Sequence, residues 1–197
     1  NSPPAGYVEY GIVEIGGVDP NGSGLFGLDN TAGKDVGNQR FDDVIGGFNA
    51  DTRAQGYAAY GGIFVSELLN LSPTLSDSPL SSPRFDDIFA AFVPQLGGTS
   101  AQAGEMASEG ERSIALIAAK DTLGNLIGNT VAHEIGHSLG LSAEAGEFHN
   151  LGESGPHLMD AGVYRPFEER AEIDGYMPAV FSPTNKEYLE MVLPIAL

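Results

Sequence analysis

Asp121-Thr122-Leu123-Gly124-Asn125-Leu126-Ile127-Gly128-Asn129-Thr130-Val131-Ala132-His133-Glu134-Ile135-Gly136-His137-Ser138-Leu139-Gly140 carries the clearest periodicity in the chain. Leu123, Ile127, Val131, Ile135 and Leu139 recur at every fourth position, which is the spacing of one helical face. Asp121 or Thr122 suits the N-cap, because a short side-chain oxygen there accepts from an orphan backbone N–H. Gly140 stands where a helix turns into the left-handed conformation and ends. The spacing predicts a helix from about Asp121 to Leu139, with its Leu/Ile/Val stripe toward the core.

Inside that helix lies His133-Glu134-Ile135-Gly136-His137, an H-E-x-x-H pattern. Residues i and i+4 sit one turn apart on the same face, here the face opposite the apolar stripe. Both imidazoles therefore reach one metal ion. Neutral imidazole nitrogens in a four-coordinate site suit Zn²⁺. Glu134 adjoins the first histidine, from where its carboxylate reaches a metal-bound water as a general base.

Ser138-Leu139-Gly140 continues the pattern, and with these residues the segment resembles the metzincin family. That family's long motif is H-E-x-x-H-x-x-G-x-x-H/D, followed by a Met-turn. Positions His133 to Gly140 fit, but the family's third-ligand position is Ala143, which binds no metal. His149 follows Gly140 by nine residues, so a six-residue insertion within Leu141–Phe148 makes it the expected third ligand. Glu144, Glu147, His157, Glu168 and Glu169 are the alternatives, a glutamate from a later helix making the site gluzincin-like. His157-Leu158-Met159-Asp160 looks like the Met-turn, with Met159 as the apolar floor beneath the metal. Tyr164 lies five residues past Met159, where the family's oxyanion-stabilising tyrosine usually lies two past, and it is carried as a candidate for that role.

The resemblance spans Asp121–Asp160, about a fifth of the chain. It implies a zinc-dependent endopeptidase that hydrolyses peptide bonds through a zinc-activated water, with Glu134 as general base. It implies an α+β fold in one catalytic domain, residues 1–197. The upper lobe, residues 1–140, would hold a twisted mixed sheet and the active-site helix. The lower lobe, residues 141–197, would be small and irregular. An edge strand of the sheet would take an extended peptide or protein substrate as an added strand, Gly62–Leu69 being the candidate.

Composition bounds the remaining choices. A net charge of −18 with only 9 Lys+Arg repels phosphates, which argues against nucleic acid and anionic membrane partners. The acidic surface leaves Ca²⁺ as a second cofactor to consider. Asp19, Asn21, Ser23 and Gly24 begin a calcium-loop pattern, but Asn30 stands at its twelfth position, so an ordinary Gly-rich turn is favoured. With 0 Cys, disulfides, thiolate ligands and a cysteine nucleophile are excluded. No apolar run approaches the roughly 20 residues of a membrane span. Asn1-Ser2-Pro3-Pro4 reads as the cut end of a longer chain. The family resemblance implies a secreted or extracellular protein, and the acidic, Cys-free composition suits a bacterial one.

Elsewhere, Tyr7–Ile15 and Gly62–Leu69 read as strands. Phe41–Phe48, Phe85–Leu96, Arg165–Ile173 and Lys186–Val192 read as helices, and Ser113–Ala119 as a buried strand or a helix start. Two readings compete with the peptidase. One is a metzincin-fold binding module without activity, which would have no need of Glu134. The other is a calcium-dependent surface adhesion domain built on Asp19–Asn30.

Overall fold

Four short strands lie among the residues that the computed structural model describes, 12–20, 22–29, 44–45, 62–141, 149–150 and 156–193, and three of the four contain β-branched residues. These are β1 (Ile12–Val13), β2 (Gly27–Leu28), β3 (Val44–Ile45) and β4 (Gly62–Ile63). β1 runs parallel to β3, with Ile12 opposite Val44. β2 runs antiparallel to β4, with Gly27 opposite Ile63. The helix expected over Phe41–Phe48 is therefore corrected at Val44–Ile45, where two β-branched residues pair with two others. The strand expected over Tyr7–Ile15 is present at Ile12–Val13, and residues 7–11 lie outside the described residues.

Gly62–Leu69 is corrected in two ways. Only Gly62–Ile63 is strand, and Val65–Leu71 is a 3₁₀ helix. Leu68 and Leu71, three apart and both buried, supply the one-sided apolar face that this helix requires. Nor is the strand an edge. Ile63 N donates to Glu14 O (2.9 Å) and Gly16 N to Ile63 O (2.8 Å), while Phe64 N donates to Phe26 O on the β2 side (2.8 Å).

Among the described residues four α-helices follow: α1 (Pro83–Phe89), α2 (Glu111–Ser138), α3 (Phe167–Ala171) and α4 (Pro183–Val192). Both α1 and α4 open on a Ser-Pro pair. The serine oxygen accepts a first-turn N–H, and proline occupies a position whose own N–H would be an orphan. α2 begins at Glu111, ten residues before the expected cap at Asp121. The run Ser113–Ala119 is thus its first two turns, burying Ser113, Leu116 and Ala119 at the spacing of three that one helical face allows.

The chain forms two compact units, Asn1–Glu67 with Thr130–Ala161 and Val180–Leu197, and Leu68–Asn129 with Gly162–Ala179. Each draws on sequence from both sides of Gly140. The second unit is cored by Leu71, Phe85, Phe89, Leu116, Leu126 and Phe167, the rings of Phe85 and Phe167 meeting edge-on at 5.6 Å. It also buries a polar knot. Arg165 donates to Glu169 (2.7 Å) and to Asn129 (2.9 Å), and Arg170 donates to the Arg165 and Gly162 carbonyls. Burial, followed by repulsion from Arg165, pushes the Arg170 guanidinium down to about 10. The first unit holds the strands, Leu141, Leu158, Met159 and the last turns of α2.

Candidate metal centre

The side of α2 that is most deeply buried is not the expected stripe. Leu123, Ile127, Val131 and Ile135 are half-buried, whereas Thr130, Glu134 and His137 are buried. The helix turns its chemical face inward because two close approaches are built there. At Gly136, an added Cβ would run into Met159 Sδ and come within 3.3 Å of Phe181 Cε1. At Gly27 on β2, an added Cβ would meet Glu134 Oε1 at 2.6 Å and Thr130 Cγ2 at 2.8 Å. Only glycine admits neighbours this close. Met159 is 2% exposed and packs against α2 at Gly136.

His133, His137 and His149 converge. Their Nε2 atoms stand 3.1 Å apart for His133–His137, 3.1 Å for His133–His149 and 3.3 Å for His137–His149. Among the described residues, this is the cluster of three or more donors able to share one ion. Two of the rings are fixed in tautomer by backbone carbonyls. His133 Nδ1 donates to Leu158 O (2.6 Å), and His137 Nδ1 donates to Leu141 O (3.1 Å). A carbonyl only accepts, so both Nδ1 atoms carry hydrogen and both neutral rings present Nε2 lone pairs to each other. A proton relieves one such contact at a time, whereas a cation at the centre relieves all three. The donors of a tetrahedral ion with bonds of about 2.0–2.1 Å lie about 3.3 Å apart, which the triangle matches. Carbonyls behind ligand histidines are the usual means of orienting such rings. The donor set therefore fits a divalent transition-metal ion.

The sequence explains how each ring is placed. α2 carries the first two ligands one turn apart. Gly140, at φ +90°, ends the helix with two hydrogen bonds, Leu141 N to Gly136 O and Gly140 N to His137 O, both 2.9 Å. This paired closure is a Schellman motif, and it brings the Leu141 carbonyl round to His137. His149 comes from beyond residues 142–148, which lie outside the described residues.

Glu134 is 6% exposed, and its Oε2 accepts from Asp29 N at 2.7 Å. It is not one of the converging donors. Of the alternative third ligands, Glu144 and Glu147 lie outside the described residues, and His157 is not in the cluster. Glu168 accepts from Ser82 and Glu169 from Arg165. Tyr164 ends the 3₁₀ turn Gly162–Tyr164 in the second unit and is 60% exposed. Asp19 Oδ2 accepts from Ser23 N (2.8 Å) and Leu25 N (3.3 Å), so this carboxylate organises the turn that follows it.

Several contributors had little or no signal in the sequence. The Leu141 and Leu158 carbonyls have none, since every residue offers one. Gly27 and Asp29 sit in a Gly-rich loop that reads as a turn. Asn150 was available as the neighbour of His149. No described helix is long and apolar enough to cross a membrane. No family model, curated protein or solved structure matches this chain.

Proposed function

We propose that this chain is a secreted zinc-dependent endopeptidase of the metzincin kind, with His133, His137 and His149 as ligands and Glu134 as general base. The observation that carries the reading is the triangle of Nε2 atoms at 3.1–3.3 Å, with the buried Glu134 carboxylate carried on the same helix. When bound, Zn²⁺ supplies Lewis acidity and a water of pKa about 7. Glu134 takes the proton of the attacking water and returns it to the departing amine. Asp29 N–H holds one carboxylate oxygen, which limits how far the side chain swings between the two transfers. Leu158 O and Leu141 O keep two ligand rings in the tautomer whose lone pairs face inward.

Zinc content and hydrolysis of a quenched-fluorescent peptide library test this together. The parent is expected to hold about one zinc per chain, and Glu134→Gln to keep the zinc while losing turnover by about 10²–10⁴-fold. His149→Ala is expected to lose most of the zinc. Parent-like hydrolysis by Glu134→Gln removes that residue from the chemistry. A parent without zinc after incubation with Zn²⁺ overturns the whole reading.

A further inference from the structure

Two of the three rings ride on α2 and are oriented by the Leu158 and Leu141 carbonyls. His149 lies beyond that helix, so its position is set by other contacts. Asn150, the next residue, is 7% exposed and is held from three directions. Its backbone N–H donates to Met159 O at 2.8 Å. Its side-chain amide donates to Asp160 Oδ1 at 3.3 Å and to Asn185 Oδ1 at 3.4 Å. Asp160 is fixed in turn by accepting from His157 N (3.2 Å), in the same turn that supplies Leu158 O to His133. Asn185 is the third residue of α4, and its side chain closes the capping box with Ser182. α4 also reaches the other end of the 141–148 connection, where Tyr188 Oη donates to Leu139 O at 3.2 Å.

We infer that α4 is a brace for the third ligand, with Asn150 and Asn185 as positioning residues that hold His149 in register with the pair on α2. The inference rests on the three-histidine reading and adds to it a route by which the C-terminal helix controls metal affinity. The side-chain arm needs a donor at 150 and an acceptor at 185, so it has a chemical signature distinct from the stability of α4. Aspartate at 185 keeps the acceptor both for Asn150 and for the Ser182 cap. Alanine at Ser182 removes the oxygen that Asn185 N needs and leaves the Asn150–Asn185 contact.

The test is Zn²⁺ affinity by competition with a chromogenic chelator, the visible absorption of the Co²⁺-loaded proteins, and the thermal midpoint of each metal-free form. Asn150→Ala and Asn185→Ala are expected to weaken Zn²⁺ about 10–100-fold, the range seen when support behind a ligand is removed. The Co²⁺ band intensity should fall with them. Asn185→Asp should bind as the parent does. Ser182→Ala should lower the metal-free midpoint without that loss of affinity. If Asn150→Ala and Asn185→Ala bind like the parent while His149→Ala does not, the brace is overturned and the ligand set stands. If Ser182→Ala weakens the metal as much as Asn185→Ala, helix stability explains the effect and the brace is again overturned. A parent that binds neither ion overturns the ligand set and the brace with it.

Discussion

Gly27 has no side chain, yet it decides where Glu134 sits. The space that a methyl group needs is filled by Glu134 Oε1 and Thr130 Cγ2, at 2.6 and 2.8 Å. Gly27→Ala must therefore move β2 or the glutamate, and overpacking of this sort costs about 1–3 kcal/mol. A general base displaced by about 1 Å loses on the order of 10²-fold in rate. We expect Gly27→Ala to lower kcat by about 10–100-fold with little change in KM and with zinc content intact. Steady-state kinetics beside metal analysis checks this, and full activity in the variant sinks it. The pair His133 and His137 was legible, because i and i+4 on a helix leave one geometry for two rings, whereas His149 was one of several candidates for the third place. Gly27 was not legible, because its role comes from a helix more than a hundred residues away and leaves no local pattern.

At the scale of elements, the end of α2 joins conformation to chemistry. Gly140 at φ +90° closes the helix and turns the Leu141 carbonyl toward His137. An L-side chain in that conformation costs about 1–2 kcal/mol. Gly140→Ala should lower the thermal midpoint and weaken Zn²⁺ together, and Gly140→Asn should do both less, since asparagine tolerates the left-handed region. Calorimetry with a chelator competition separates the two effects. A stability loss with unchanged affinity dissociates the closing turn from the ring it orients. This helix end was visible in the sequence as a glycine after the last periodic residue. The helix start was not. An unbroken run such as Ile114-Ala115-Leu116-Ile117-Ala118-Ala119 fits strand and helix alike, and Asp121 offers a capping side chain inside a segment that is already helical. The strand at β4 ended early for a related reason. Its hydrophobic residues continue past Phe64, but Leu68 and Leu71 repeat every three residues, a period that a strand cannot bury on one face.

For the whole molecule, a bound metal ion and protons would set stability in different ways. An ion bound only by the folded chain stabilises it by about 2.7 kcal/mol at a hundred times its dissociation constant. Thermal unfolding should therefore move to lower temperature with a chelator, and back with added Zn²⁺. A midpoint indifferent to both contradicts a folded-state site. The acid limb depends on carboxylates. A hydrogen bond from Arg84 holds the Asp174 carboxyl below its ordinary range. Hydrogen bonds from Arg112 and then from Gln102 N do the same for Glu105. The unfolded chain takes up these protons first as pH falls. Their contribution is complete above the ordinary carboxylate pKa of about 4, and it is lost as pH drops through the lower folded values. The Arg84–Asp174 pair is exposed and the Arg112–Glu105 pair is half-buried at the surface, so the effect is small and salt-sensitive. Replacing Arg84 and Arg112 by Met should flatten the fall in midpoint between neutral and acidic buffer. An unchanged acid slope removes these pairs as its cause.

The three rings also differ in how they are carried. Two ride on one helix, fixed relative to each other before any ion arrives. The third is delivered by a separate length of chain. Exchange kinetics should separate along that line. On the proposed reading, two donors stand one turn apart on α2, and the third is held by contacts outside that helix, at Asn150. Changes on α2 should then be felt in how fast metal is taken up, and changes around Asn150 in how long it stays.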